Sequence, residues 1–286
     1  MPNISDHEQE QVQRANATGL PPVAFLHGLF LLPNSWDRWA KLFEGAGYVA
    51  VAPGYPHEPE TTTAANADPS VMANIGFKEI ADHFERVIKG LKVKPVIVGH
   101  SFGGLFAQVL AGRGLSAATV AISPAPHRGV LPLPISALRS AFPVLGNPAN
   151  IHRAIPLTYD QFRFAFANAV SADEAKTLHE TFAVPAAGAP LFEAAAANLN
   201  PWSDVTVDNE NPKRGPLLIM VGDKDHTAPP VIAQAEFKRQ QKNVGVTEFA
   251  EVENRGHALT IDSGWRNVAD RALEFVGRFK PAGSRK

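Results

Sequence analysis

The chain has 286 residues, 45% of them hydrophobic and 19% charged, which is enough to bury a large core and close to the size limit of one elaborated domain. Lys plus Arg at 27 against Asp plus Glu at 28 leave a formal charge of -1, so no basic field is present to drive binding to nucleic acid or an anionic membrane. The lack of cysteine excludes disulfides, thiolate metal ligands and a cysteine nucleophile, and no run approaches the roughly eighteen apolar residues of a membrane span.

In chain order, residues 1–17 are polar, with Asp6, Glu8 and Glu10, and lack the apolar core of a secretory signal. They read as a frayed end, as do residues 281–286, and the protein as cytoplasmic. Short apolar, β-branched runs then recur at 23–27, 48–52, 96–98, 119–122 and 217–221. Runs apolar on both alternating faces suit strands covered on both sides, so the expected fold is α/β, a mostly parallel central sheet flanked by helices. Between the second and third runs, Ile80, Phe84, Val87, Ile88 and Leu91 form one helical face within 75–91. Further helices are expected over 102–113 and 265–279, and a half-exposed edge strand over 246–252, where apolar and polar residues alternate.

From 127 to 208 the strand rhythm breaks. The segment is rich in Ala, Phe and Pro, with helical stretches around 135–141, 159–168, 172–182 and 190–198. It reads as a mainly helical cap inserted between core segments 18–126 and 209–280, over the carboxyl ends of the strands, where open α/β folds bind ligands.

The stretch Pro95-Val-Ile-Val-Gly-His-Ser-Phe-Gly-Gly104 joins an apolar strand to a glycine-flanked serine and a helix. A sharp strand-to-helix turn would lift the Ser101 hydroxyl above the sheet edge, and side chains at 99 and 103 would collide in it. Downstream, the run 217–221 leads into Gly222-Asp-Lys-Asp-His-Thr-Ala-Pro229, and the edge strand into Asn254-Arg-Gly-His-Ala258. Serine, acid and histidine in this order, each after a strand, resemble the α/β-hydrolase superfamily from about residue 22 to 279.

The resemblance implies an α/β-hydrolase fold and a serine nucleophile. Ser101 would attack, His257 would act as base and then acid, and Asp225, the second aspartate of its loop, would orient the imidazole in preference to Asp223. The turn His27-Gly28-Leu29-Phe30 resembles the family's oxyanion turn, with the main-chain N–H groups of Leu29 and Phe102 as donors and His27 as a loop brace. Phe30 and Trp202 are candidate substrate contacts in an apolar pocket. The ten histidines show no His-Glu-x-x-His motif or paired spacing, and the glycines around Ser101 lack a phosphate-loop ending, so neither a metal nor a nucleotide cofactor is expected.

The activity expected is hydrolysis of a carboxylic ester or lactone of a hydrophobic small molecule through an acyl-enzyme. Serine at 101 argues against the branches with a carboxylate nucleophile. Amide or carbon–carbon hydrolysis, cofactor-free oxygenase or lyase chemistry using His257 as base, and slow-turnover ligand reception remain alternatives on the same motifs. Natural substrate and oligomeric state are not encoded in motif spacing.

Overall fold

The computed structural model describes residues 4–280. Six strands form one parallel sheet: β1 (Pro22–Leu26), β2 (Val49–Val51), β3 (Val96–His100), β4 (Ala118–Ile122), β7 (Leu217–Gly222) and β8 (Thr247–Val252), in the order β2-β1-β3-β4-β7-β8. Strands β1, β2, β3, β4 and β7 are buried throughout, whereas β8 pairs only with β7 and stays half-exposed, as its alternation predicts. A separate antiparallel pair, β5 (Ala154–Ile155) with β6 (Ala186–Ala187), has no counterpart in the sequence reading; two residues per strand are too few to carry a pattern.

Among the described residues, eleven α-helices accompany the strands: α1 (Asp6–Thr18), α2 (Asp37–Gly45), α3 (Thr62–Ala67), α4 (Phe77–Lys89), α5 (Phe102–Gly112), α6 (Ile135–Leu145), α7 (Tyr159–Ala165), α8 (Ala172–Phe182), α9 (Ala189–Ala196), α10 (Pro230–Gln240) and α11 (Trp265–Gly277). One face of the sheet carries the α4 and α5 core, with Phe77, Ile80, Phe84, Leu105 and Phe106 packed on Ala24, Leu26 and Ile97. The other carries Trp36, Trp39, Phe43, Val268 and Phe275 on Val23, Phe25, Val98 and Val120. Because neighbouring side chains on a strand point to opposite faces, these strands are apolar at most positions on both faces and so serve both cores. Among the described residues no helix is long and apolar enough to cross a membrane.

The amino-terminal stretch is helical rather than frayed. Ser5 Oγ accepts the Glu8 N–H at 3.2 Å and the Glu8 carboxylate accepts the Ser5 N–H at 2.7 Å, a reciprocal cap that satisfies two otherwise unpaired donors. The same carboxylate reaches Nε2 of His83 on α4 at 2.7 Å, and Val12 and Ala15 pack on Val49, Val51 and Val87. A mean-polar helix is thus held by a buried carboxylate–imidazole hydrogen bond and a narrow apolar stripe, which composition alone does not reveal. Residues 1–3 and 281–286 lie outside the described residues.

Helices α6 to α9 lie between β4 and β7 in the chain, and the end of α7 with the turn after it is bonded to the loops that follow β7 and β8. The Ala258 N–H donates to Phe166 O at 2.8 Å, the Asn168 amide to Lys224 O at 2.8 Å, and the Thr227 hydroxyl to Ala165 O at 2.7 Å.

Candidate active site

Ser101 sits between the end of β3 and the start of α5 with φ 56° and ψ -121°, a conformation that a side chain rarely adopts and that costs on the order of 1–3 kcal/mol. Backbone packing enforces it. A Cβ at Gly99 would fall 2.0 Å from the Gly103 carbonyl oxygen, and one at Gly103 would fall 2.0 Å from that of Leu26, so β1, β3 and α5 touch main chain to main chain. The Ser101 N–H donates to Ile122 O at 2.9 Å and Ser101 O accepts the Ala125 N–H at 3.0 Å, which ties the strained residue to β4 and the loop after it. The side chain stands at the carboxyl edge of the sheet and is 5% exposed.

Asp225 lies in the tight turn after β7, where its Oδ1 accepts two main-chain N–H groups, from Thr227 and Ala228, both at 2.8 Å. These bonds fix the carboxylate, leaving Oδ2 to meet Nδ1 of His257 at 2.7 Å, with both side chains fully buried. Burial would raise the Asp225 carboxyl, but the facing His257 imidazole and the hydrogen bonds outweigh it and hold the group below its ordinary value. Asp223 is spent elsewhere: its Oδ1 accepts the Arg255 N–H at 3.1 Å and so staples the loop that carries His257.

His257 follows β8 and is tied to the elbow through its neighbour. His100, directly before Ser101, donates from Nε2 to His257 O at 2.8 Å, and the two rings lie 4.7 Å apart. Burial and the adjacent His257 push the His100 ring down to about 3, so it is neutral and serves as a donor of fixed tautomer. With Nδ1 of His257 committed to Asp225, its Nε2 is buried and, among the described residues, has no hydrogen-bond partner. Burying a nitrogen without a partner is costly, and this one lies on the loop that His100 ties to the Ser101 elbow.

The turn after β1 closes the other side. A Cβ at Gly28 would lie 2.8 Å from Ser101 Cβ and 3.4 Å from its Oγ, so only glycine lets this turn approach the serine. Leu29 follows it and is 3% exposed; Phe102 opens α5 and is 4% exposed. The first N–H groups of a helix lack intrahelical acceptors and sit at its positive end, which suits Phe102 to receive negative charge. His27 braces the turn, with Nδ1 2.9 Å from Gly28 O.

Phe30 adopts φ 68° and is half-buried, its ring edge-on to Phe166 at 6.2 Å; Phe166 in turn lies 4.9 Å from the His257 ring. Trp202 does not join them. It is 87% exposed in a surface turn, so it lines no enclosed pocket; the chain turns inward only at Val205 and Val207, which enter the α4–α5 core. Two further neighbours of these residues escape sequence reasoning: Phe166, one of several phenylalanines between β4 and β7, and Glu58, one of two acids in the loop after β2, 2.9 Å from Nε2 of His27. No motif marks either, because each is placed only by folding. Among the described residues no group of three or more His, Cys, Asp and Glu side chains is arranged to hold a metal ion.

Solved structures with the same architecture include a monoacylglycerol lipase from Paleococcus ferrophilus, 20% identical, covering 92% of this chain and 97% of that one with a TM-score of 0.63. A thermophilic esterase from Thermogutta terrifontis is 17% identical and covers 91% of each chain with a TM-score of 0.63. A structure from a study of carboxylesterases of the ammonia-oxidizing Thaumarchaeon Nitrososphaera gargenis is 16% identical, covering 91% of each chain with a TM-score of 0.60. At these identities the likeness establishes the fold alone. No curated protein matches the sequence. The family model described as Alpha/beta hydrolase family matches residues 23–271, spanning every strand of the main sheet from Val23 onward, the serine elbow, the acid turn and the histidine loop: the chain belongs to the alpha/beta hydrolase family.

Proposed function

We propose that the protein is a serine hydrolase that cleaves a carboxylic ester or lactone of a hydrophobic small molecule through an acyl-enzyme. One observation carries the reading: the buried Asp225–His257 pair, 2.7 Å apart, stands beside the strained Ser101 elbow with Nε2 of the imidazole unpartnered. The similar folds described as lipase and esterase support it.

In this mechanism Nε2 of His257 takes the Ser101 proton as Oγ attacks the substrate carbonyl, and the Asp225 carboxylate stabilises the imidazolium. The main-chain N–H groups of Leu29 and Phe102 receive the oxyanion of the tetrahedral intermediate; losing one such donor typically costs roughly 100- to 1000-fold in turnover. Collapse breaks the bond to the leaving alkoxide, which takes the proton from His257, and leaves the acyl group on Ser101. His257 then removes a proton from water as its oxygen adds to the acyl carbonyl, and collapse breaks the bond to Ser101 Oγ, which takes the proton back from His257 as the acid departs. Phe30 and the apolar cap side chains around it favour a hydrophobic acyl or alcohol group.

The test is pre-steady-state release of p-nitrophenol from short, medium and aromatic esters by wild type and Ser101→Ala. Sustained release that vanishes in Ser101→Ala is the expected outcome. Normal turnover by Ser101→Ala would refute the acyl-enzyme.

A further inference from the structure

We propose that Glu58 is a positioning residue for this reaction: it keeps His27 doubly protonated, so that the ring fixes the Gly28–Leu29 peptide and aims the Leu29 N–H at the oxyanion. The proposal rests on the acyl-transfer reading above.

His27 is fully buried, and both of its ring nitrogens face oxygen acceptors: Nδ1 is 2.9 Å from Gly28 O and Nε2 is 2.9 Å from Glu58 Oε2. A neutral imidazole carries one N–H and would set a lone pair against one of these oxygens, whereas an imidazolium turns positive charge toward both: Nδ1–H donates to Gly28 O, and Nε2 meets Glu58 as a close ion pair whose N–H is not aligned as a hydrogen bond. The Glu58 side chain is 6% exposed, and the same Oε2 accepts the Tyr55 N–H at 3.0 Å. A Cβ at Gly54 would come within 3.0 Å of that oxygen, so glycine there leaves room for the carboxylate.

Tyr55 completes the clamp. Its ring stacks on the imidazole at 4.4 Å and 28°, an electron-rich face suited to a cation, and its hydroxyl donates to His27 O at 3.1 Å. Burial opposes charge on His27, yet the charge of the adjacent Glu58 and the bond to Gly28 O outweigh it and raise the ring above its ordinary value. The other titratable groups facing it bring no competing charge: burial keeps Tyr55 protonated far above its ordinary value, and His100 is neutral.

The consequence for the oxyanion follows from peptide geometry. In a trans peptide the C=O and N–H point in opposite directions across one plane. Gly28 O and the Leu29 N–H belong to the same peptide, so anchoring the oxygen on His27 aims the N–H the opposite way. A donor on the carbonyl also polarises the amide and strengthens its N–H. Without the Glu58 charge, burial drives His27 neutral and the anchor becomes one of two competing tautomers.

The experiment combines kinetics with nitrogen-15 spectra of the histidine rings in full-length wild type, Glu58→Gln and Glu58→Asp. In wild type the His27 ring is expected to carry protons on both nitrogens at pH 6.5, the ordinary histidine value, and in Glu58→Gln on one. Glu58→Gln should lose up to about 100-fold in kcat on a p-nitrophenyl ester, the lower end of losing an oxyanion donor outright, with KM nearly unchanged, and Glu58→Asp should recover part of it. A singly protonated His27 in wild type, or wild-type kcat in folded Glu58→Gln, would overturn the proposal. If Glu58→Gln does not fold, the wild-type ring spectrum still decides. Turnover independent of Ser101 would instead sink the acyl-transfer reading and leave the ring spectrum intact.

Discussion

Replacing Asp225 with Asn changes one atom in a carboxylate whose surroundings dictate the result. Oδ1 is held by the N–H groups of Thr227 and Ala228, both at 2.8 Å, so the amide oxygen of the introduced asparagine must take that place. The opposite orientation would set NH2 against two donors and forfeit both bonds, at roughly 1 kcal/mol each plus the penalty of burying them unpaired. The amide NH2 therefore falls where Oδ2 stood, 2.7 Å from Nδ1 of His257, and can be accommodated only if the imidazole moves its proton to Nε2. That tautomer presents an N–H to Ser101 and cannot accept its proton. A wrong-tautomer triad loses about 10,000-fold in kcat, equivalent to roughly 5 kcal/mol of transition-state stabilisation. The assay is kcat on the best p-nitrophenyl ester for Asp225→Asn beside Asp223→Asn, whose carboxylate contacts the Arg255 main chain in the wild type. Asp225→Asn retaining a tenth or more of wild-type kcat, or equal damage from Asp223→Asn, would refute the assignment.

Two further outcomes follow from burial. Glu236 is fully buried, with Oε2 accepting from Gln108 at 2.7 Å, and burial raises its carboxyl well above the ordinary value. A raised carboxyl binds its proton more tightly folded than unfolded, so the stability it contributes is complete below about pH 4.5 and is lost as pH rises toward the folded pKa, at up to about 1.4 kcal/mol per pH unit. Glu236→Gln should remove that slope and raise Tm more at pH 8 than at pH 5; thermal melts showing the same shift at both would contradict it. Trp202→Ala should leave kcat and KM on aromatic esters unchanged, since the side chain is 87% exposed; a severalfold rise in KM in steady-state assays would restore it to the pocket.

The strands, the elbow and the histidine loop are legible because each is specified locally. A strand serving two cores is apolar on both faces, as in Val96–Val98 or Leu217–Val221, and a turn with a serine at positive φ demands glycine at 99 and 103. Helix α1 reads as a frayed end although Ser5 and Glu8 stand three residues apart, a capping signature hidden in a polar stretch. Trp202 reads as a pocket residue because an aromatic side chain in an irregular segment carries no mark of which way its turn faces.

Sequence alone, then, determined the parallel α/β architecture and the serine, acid and histidine in their chain order. The tertiary structure brought Asp225, already preferred over Asp223 from the resemblance, to 2.7 Å from His257, and decided which of several phenylalanines lies against that ring and that Glu58 lies beside His27. Those partners are 32, 91 and 31 positions apart in the chain, from Asp225 to His257, Phe166 to His257 and His27 to Glu58. Local pattern encodes backbone shape and amphipathic faces, which depend on neighbours a few residues away. Charge pairing depends on distance through space, and only the closed sheet, with its strands ending on one edge, sets that distance.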